Sequence, residues 1–261
     1  MTDAPEVAAD LQAEQVALDH IVADLSDERW TLPTPADGWT IADTIAHLTY
    51  FDGAAATAVT EPDAFQASVQ ELLSSPGGPD ELTLARHRSP SEHLAAWRAN
   101  RQRLADVAAT LTDDQRIGWY GPSMGAKSFL TARLMECWAH GQDIVDALGV
   151  DRAATDRLRH IARLGFITRG WSYANRGMVA PDGEVRAELT TPSGAVLRFG
   201  PDDAPDVVVG SAEDFCLVTT QRRHVDDTAL LVTGTVARDW LERAQAFAGP
   251  ASDGPPATGR A

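Results

Sequence analysis

The sequence is poor in cysteine, in lysine and in long apolar runs, and each scarcity excludes a class of protein. Its two cysteines, Cys137 and Cys216, are too few for a disulfide framework and form no Cys-x-x-Cys pair for a zinc ribbon. No stretch approaches the roughly 18 consecutive apolar residues of a membrane-spanning helix. The first residues lack the basic and apolar parts of a signal peptide. We therefore expect a cytoplasmic protein with free thiols and no membrane partner.

Positive charge is also scarce. Asp and Glu number 38 against 22 for Lys plus Arg, so the formal net charge is −16, and the one lysine is Lys127. A protein that binds nucleic acid needs a basic face to displace counterions from phosphates, so we expect no nucleic-acid partner. Hydrophobic residues make up 44% and charged residues 23% of the 261-residue chain. This balance is typical of a globular protein and excludes a mostly disordered one.

Hydrophobic spacing divides the chain into a helical first part and a mixed second part. Apolar residues at helical spacing predict helices in the first part over 4–25, 41–59, 62–73, 91–111 and 128–148. Thr40 with Asp43 is a variant of the capping box at the start of the second helix, and Ser128 is predicted to cap the last one.

Alternating apolar residues after Met178 indicate strands. The second part is predicted to contain helices over 151–176, 212–221 and 235–247, and strands over 185–189, 196–199, 207–209 and 229–232. We therefore predict an α+β fold: a four-helix bundle over 1–150, a helix with a small α/β module over 151–248, and a flexible tail over 249–261.

The helix over 128–148 carries the chemistry that the sequence can reveal. Apolar side chains cover most of its circumference, so the helix is predicted to be largely buried. One polar stripe interrupts them, at positions i, i+3, i+7 and i+10: Arg133, Glu136, His140 and Asp143. Buried charges are costly unless they are paired or bind a metal. Glu136 and His140 lie one turn apart on the same face, where both can bind one divalent cation.

Two ligands are too few for a stable catalytic metal site, and His47 is the best candidate for a third. It lies at the edge of the apolar stripe of the helix over 41–59, so it can point into the bundle. Two histidines and a glutamate with an open position form a recurring catalytic zinc site, although the same ligands can hold iron or nickel. The alternative is a buried ion pair among Arg133, Glu136 and His140, with His47 an ordinary core histidine.

Two segments resemble a known family. Residues 38–48, Gly-Trp-Thr-Ile-Ala-Asp-Thr-Ile-Ala-His-Leu, resemble the second-helix signature of DinB-like four-helix-bundle metalloproteins. They are most similar to the branch that contains mycothiol-dependent maleylpyruvate isomerase. Residues 133–143, Arg-Leu-Met-Glu-Cys-Trp-Ala-His-Gly-Gln-Asp, are similar to a later helix of that branch. The second part of the chain resembles, more weakly, the small α/β domain that follows the bundle in mycothiol-dependent enzymes.

The resemblance implies a ligand set and a reaction class. It implies that His47, Glu136 and His140 bind zinc and that mycothiol is the thiol cosubstrate. Zinc at an open position lowers the pKa of a thiol, and the thiolate then adds to an electrophilic small molecule. The expected enzyme is a mycothiol-using isomerase or thiol transferase. The alternatives are a metal-dependent hydrolase of thiol conjugates and a metal-binding protein without catalytic activity.

Two further residues are candidates for the site. The resemblance places Arg222 where the second domain of the family supplies an arginine to the active site, and a guanidinium there could bind a substrate carboxylate. Asp143 could accept a hydrogen bond from His140 and orient it as a metal ligand. Their alternative interpretations are a solvated arginine and a surface carboxylate.

Overall fold

The computed structural model describes residues 3–75, 79–121 and 123–259, and the chain forms two compact units, Met1–Asp151 and Arg152–Ala261. The predicted α+β class is confirmed. The elements of the first unit are α1 (Ala4–Val22), α2 (Asp27–Trp30), α3 (Ile41–Thr60), α4 (Pro62–Ser74), α5 (Pro79–Thr83), α6 (Pro90–Ala108), β1 (Arg116–Ile117), β2 (Met124–Gly125) and α7 (Ala126–Leu148).

The four long helices α1, α3, α6 and α7 form the predicted bundle. Helix α3 packs against α6 and α7, and α1 packs against α7 and α6. The capping box at the start of α3 is present as predicted: Asp43 N–H donates to Thr40 Oγ1, and Thr40 N–H donates to Asp43 Oδ2. Ser89 and Glu92 form a second capping box at the start of α6. Local sequence therefore fixes where the two central helices begin.

A buried carboxylate, Asp52 of α3, joins all four long helices. It accepts hydrogen bonds from Gln15 Nε2 of α1 at 2.9 Å, Trp97 Nε1 of α6 at 3.3 Å and Arg133 Nη2 of α7 at 3.1 Å. The side chains of Arg133 and Asp52 are 4% and 1% exposed. Burial raises the pKa of Asp52, and the charge and hydrogen bond of Arg133, with the hydrogen bonds of Trp97 and Gln15, oppose that rise.

The second unit contains a four-stranded mixed sheet. Its strand order is β4-β3-β5-β6, with β3 and β5 parallel and both outer pairs antiparallel. The elements of this unit are α8 (Leu158–Ile167), α9 (Arg169–Ala174), β3 (Val185–Thr190), β4 (Val196–Phe199), β5 (Asp206–Ser211), α10 (Ala212–Thr219), a 3-10 turn (Val225–Asp227), β6 (Leu231–Thr233) and α11 (Thr235–Leu241).

One predicted helix cap and one predicted helix are wrong. Helix α7 begins at Ala126 rather than at a Ser128 cap, because the β1–β2 pairing leads directly into it and Ala126 N–H bonds to Gln115 O. The single helix predicted over 151–176 is two shorter ones, α8 and α9. Thr168 lies between them, and its Oγ1 donates to the carbonyls of Leu164 and Gly165, which helps to end α8.

The last predicted helix is also too long, since α11 ends at Leu241 instead of Phe247. Past that point the backbone bonds to other parts of the unit: Gln245 N–H donates to Ser172 Oγ and Ala246 N–H to Thr219 O. Residues 249–259 contain no helix or strand, and 260–261 lie outside the described residues. Within this segment Thr258 N–H donates to Asp227 Oδ2, so the tail is bonded to its unit there.

None of the helices in the described ranges combines the length and the apolar character that a membrane crossing needs.

The Asp52 network predicts that a substitution that removes only the charge of Asp52 causes a large loss of stability. Asp52→Asn keeps the size of the side chain but removes the charge of the carboxylate that pairs directly with the buried guanidinium of Arg133. We expect a loss of about 3–5 kcal/mol in the free energy of unfolding, measured by urea denaturation. The control is Glu242→Ala, which breaks the exposed Arg238–Glu242 pair and should cost less than about 1 kcal/mol. Equal effects of the two substitutions would contradict this account.

Candidate metal centre

Helices α3 and α7 position the three predicted ligands. His47 lies on α3, and Glu136 and His140 lie one turn apart on α7. Each residue offers one ligand atom, which is a ring nitrogen for a histidine and a carboxylate oxygen for Glu136. The three atoms all lie within 4.8 Å of one another. His140 Nε2 is 3.3 Å from Glu136 Oε2, and the imidazoles of His47 and His140 have ring centroids 4.7 Å apart. The structure thus brings together the three residues that the sequence singled out.

Asp143 contacts His140 in the way that a supporting residue would. Its Oδ2 lies 3.2 Å from His140 Nδ1, and its side chain is 5% exposed. An ionised carboxylate can only accept, so Nδ1 carries the hydrogen, and Nε2 is the ring nitrogen turned toward Glu136. In this tautomer His140 can give its Nε2 lone pair to a cation.

The electrostatics of the cluster favour an ionised Glu136. Burial raises the pKa of Glu136, but the hydrogen bond and charge of His140, with the charges of Arg133 and His47, outweigh it and lower the pKa to about 2. Glu136 is therefore a carboxylate at neutral pH, which is the form that binds a cation. The side chains of Glu136 and His140 are 21% and 12% exposed, so the cluster is not sealed in the core.

The donor set fits a divalent cation of the zinc type. Two imidazoles and one carboxylate from two packed helices match the ligands of catalytic zinc sites. Among the residues that the structure describes, this cluster holds three donors and no fourth.

The buried ion pair expected as the alternative exists only in part. Glu136 and His140 are adjacent, but Arg133 Nη2 pairs with Asp52 at 3.1 Å. Sequence reasoning did not find Asp52, although a signal was present. Asp52 follows Ile45 by seven positions and precedes Ala56 by four, so it lies on the apolar stripe of α3. A carboxylate on that stripe needs a buried partner, which Arg133 provides.

Aromatic side chains contact the two histidines. The Trp39 ring stacks on His140 with centroids 5.8 Å apart at 19° and lies 4.9 Å from the His47 ring. The Phe51 ring is 4.6 Å from the His47 ring and 5.5 Å from the Tyr120 ring. In the sequence, Trp39 stands out only as a member of the segment 38–48 that resembles the family. A loop residue has no helical periodicity from which its spatial neighbours could be predicted.

Arg222 lies in the second unit, three residues beyond the end of α10. Its Nη1 donates to Thr220 O at 2.6 Å and its backbone N–H to Leu217 O at 2.7 Å. Because Arg222 and the histidines belong to different units, its role at the metal centre stays a prediction.

The four-helix bundle, with two histidines and a glutamate gathered from facing helices, agrees with the DinB-like class that residues 38–48 and 133–143 resemble. Within this class, residues 11–145 match the family model described as the mycothiol maleylpyruvate isomerase N-terminal domain. The match spans more than half of the chain, and the chain therefore belongs to that family.

Relatives and solved structures agree with this assignment. Two uncharacterised proteins of Mycobacterium tuberculosis, one from each of two strains, are 45% identical to the chain over 97% of its length and 100% of theirs. A crystal structure of a histidine-to-alanine variant of mycothiol-dependent maleylpyruvate isomerase has a TM-score of 0.59 at 18% identity, covering 91% of this chain and 97% of that one. A second structure of that isomerase has a TM-score of 0.57 at 20% identity over 85% and 92%. At these identities the likeness shows the shared fold.

The contact between Asp143 and His140 generates a prediction about metal affinity. Asp143→Ala removes the acceptor that fixes the His140 tautomer, so we expect zinc to bind about 10- to 100-fold more weakly in competition with a chelator. The matched control is Asp146→Ala on the same helix, whose carboxylate accepts from Gln142. Equal zinc affinity of the Asp143 variant and the wild type would remove Asp143 from the site.

Proposed function

We propose that this protein is a mycothiol-using enzyme, an isomerase or thiol transferase, whose metal centre is formed by His47, Glu136 and His140. The observation that carries the proposal is the convergence of these three donor atoms within 4.8 Å in a chain of the mycothiol maleylpyruvate isomerase family. The solved isomerases of similar fold are mycothiol-dependent by their titles. The two buried cysteines carry thiols and not a disulfide, which suits a reducing cytoplasm, where a low-molecular-weight thiol would act.

The residues of the chain have separable roles in this proposal. Glu136 supplies the negative charge, and His47 and His140 supply neutral nitrogen donors, so a divalent cation keeps one net positive charge at the centre. Zinc with an open position would accept the thiol sulfur and lower the thiol pKa, which makes thiolate available at neutral pH. Asp143 holds His140 in the tautomer that can bind the cation.

The absence of a fourth donor from the cluster of described residues favours a catalytic centre over a structural one. Structural zinc sites are usually closed by four protein ligands, whereas catalytic sites keep a position open. The partial exposure of Glu136 and His140 supports the same reading, because an open position must be reachable by a substrate.

For Arg222 we propose a role in substrate binding. A guanidinium can bind a carboxylate through two parallel charged hydrogen bonds, so Arg222 would orient a carboxylate-bearing electrophile such as maleylpyruvate. Arg222 lies three residues beyond the end of α10, and the family resemblance implies a functional arginine at the end of this helix.

Metal content and thiol binding test the proposal together. The purified protein should contain about one zinc per chain, and mycothiol should raise its melting temperature more than glutathione or cysteine does.

Glu136→Gln keeps the size of the side chain but removes its charge, so the metal content of this variant should fall. The rate of maleylpyruvate isomerisation should fall with metal occupancy. Glu71→Gln, an exposed position on α4, is the control. A fully metallated Glu136→Gln protein would contradict the ligand assignment, and hydrolysis of a mycothiol conjugate without transfer would contradict the reaction class.

Arg222→Ala separates substrate binding from metal binding. Zinc content should be unchanged, because no ligand is altered. The loss of a charged hydrogen bond is worth on the order of 1.5–3 kcal/mol, so kcat/KM for a carboxylate-bearing electrophile should fall about 10- to 100-fold. Arg223→Ala is the matched control, because it removes a guanidinium from the next position of the chain. The Arg223 guanidinium donates to the backbone carbonyl of Arg222. Unchanged kinetics of the Arg222 variant would remove Arg222 from the mechanism.

A further inference from the structure

Trp39 contacts both histidines of the candidate metal centre and is itself tied down by a polar contact. Its ring lies 5.8 Å from His140, nearly parallel at 19°, and 4.9 Å from His47 at 50°. Its indole Nε1 donates to Asp80 Oδ2 of α5 at 3.3 Å. One aromatic side chain thus spans the two imidazoles, which come from different helices, and reaches a third helix.

The segment around α5 holds the loop that carries Trp39. Arg86 Nη2 donates to Gly38 O at 3.3 Å, and Arg86 Nε donates to Asp43 Oδ1 at 2.9 Å. The first bond restrains the residue directly before Trp39, and the second restrains the capping box of α3. Asp80 and Arg86 therefore attach both ends of the Trp39–Asp43 turn to the connection between α4 and α6. We call these two residues the Trp39 brace.

His140 is restrained from two directions. Asp143 fixes its Nδ1 at 3.2 Å, which sets the tautomer, and the Trp39 ring covers one face, which limits rotation of the imidazole. The remaining nitrogen, Nε2, faces Glu136 Oε2. The His47 ring contacts two aromatic rings, that of Trp39 at 4.9 Å and that of Phe51 at 4.6 Å. A ligand whose rotamer is locked loses less entropy when it binds a metal.

We propose that Trp39, held by its brace, is a positioning residue that fixes the orientation of both histidines and thereby sets the affinity and coordination geometry of the metal. The proposal rests on the proposed metal centre and adds a determinant that lies outside its donor set. A residue with only a packing role would change the melting temperature and leave metal affinity untouched in the folded protein. The two roles therefore differ in what they change.

The experiment measures metal affinity and the cobalt spectrum of the full-length folded chain. The metal is removed with a chelator and the apoprotein is titrated with Zn²⁺ against a competing chelator, well below the melting temperature of each variant. Trp39→Ala should bind zinc about tenfold more weakly, the lower end of the effect of residues that orient metal ligands. Trp39→Phe keeps an aromatic face and should retain most of the affinity. The Co²⁺ form of Trp39→Ala should show altered visible absorption bands, which report the coordination geometry.

The brace has its own matched pair of variants. Asp80→Ala removes the acceptor of the indole N–H and should weaken zinc binding less than Trp39→Ala does. Glu81→Ala removes the same charge from the next position of α5, where the carboxylate accepts from Ser75 Oγ, and should leave zinc affinity unchanged. If Trp39→Ala fails to fold, Trp39→Phe and Asp80→Ala still give both measurements.

The outcomes separate this proposal from the metal centre itself. A wild-type protein that binds zinc, with Trp39→Ala and Asp80→Ala binding it equally well and with an unchanged cobalt spectrum, overturns the positioning role and leaves the metal centre standing. A wild-type protein that binds neither metal overturns the metal centre and, with it, the role of Trp39. Weaker binding by Trp39→Ala and by Asp80→Ala, with Glu81→Ala equal to wild type, supports the positioning role.

Discussion

The buried pair between Asp52 of α3 and Arg133 of α7 is the constraint on which the first unit depends. Both charges are almost fully buried, so each is tolerable only while the other is in place. Asp52 also accepts from Gln15 of α1 and Trp97 of α6, which ties the four long helices to one carboxylate. Such a network allows one relative arrangement of the helices, because any slide along their axes would leave a buried charge or donor without its partner.

The same pair sets the register of the candidate metal centre. Asp52 follows His47 by five residues on α3, and Arg133 precedes Glu136 by three residues on α7. Fixing Asp52 against Arg133 therefore fixes His47 against Glu136 and His140. Next to the pair, the Phe51 ring contacts both neighbours, the Arg133 guanidinium at 5.9 Å and the His47 ring at 4.6 Å. The ion pair and the metal donors are consecutive layers of one interhelical contact, and the charge of Arg133 also helps to keep Glu136 ionised.

Three kinds of support surround the donors, and each acts on a different degree of freedom. The Asp52–Arg133 pair sets the distance and register of the helices, Asp143 sets the tautomer of His140, and the Trp39 ring stacks on His140 and contacts His47. The last two contacts lie outside the donor set, and we infer that they orient the donors toward a common centre. In metal sites, the loss of a residue that orients a ligand typically lowers metal affinity about 10- to 100-fold.

The sequence by itself determined the local features of this protein. Periodicity located α3, α6 and α7 to within a few residues, the Thr40–Asp43 box marked the start of α3, and the interrupted apolar surface of α7 singled out Glu136 and His140. These signals are readable because a helix repeats every 3.6 residues and its caps are short-range.

Only the tertiary structure decided the contacts between elements. It paired Arg133 with Asp52 rather than with Glu136, placed the loop residue Trp39 on both histidines, and divided the stretch over 151–176 into α8 and α9. Partners that lie 81 or 101 residues apart in the chain, as Asp52–Arg133 and Trp39–His140 do, leave no periodic trace in the sequence. Their choice depends on how helices pack, since the burial that makes a charge seek a partner exists only once the bundle has formed.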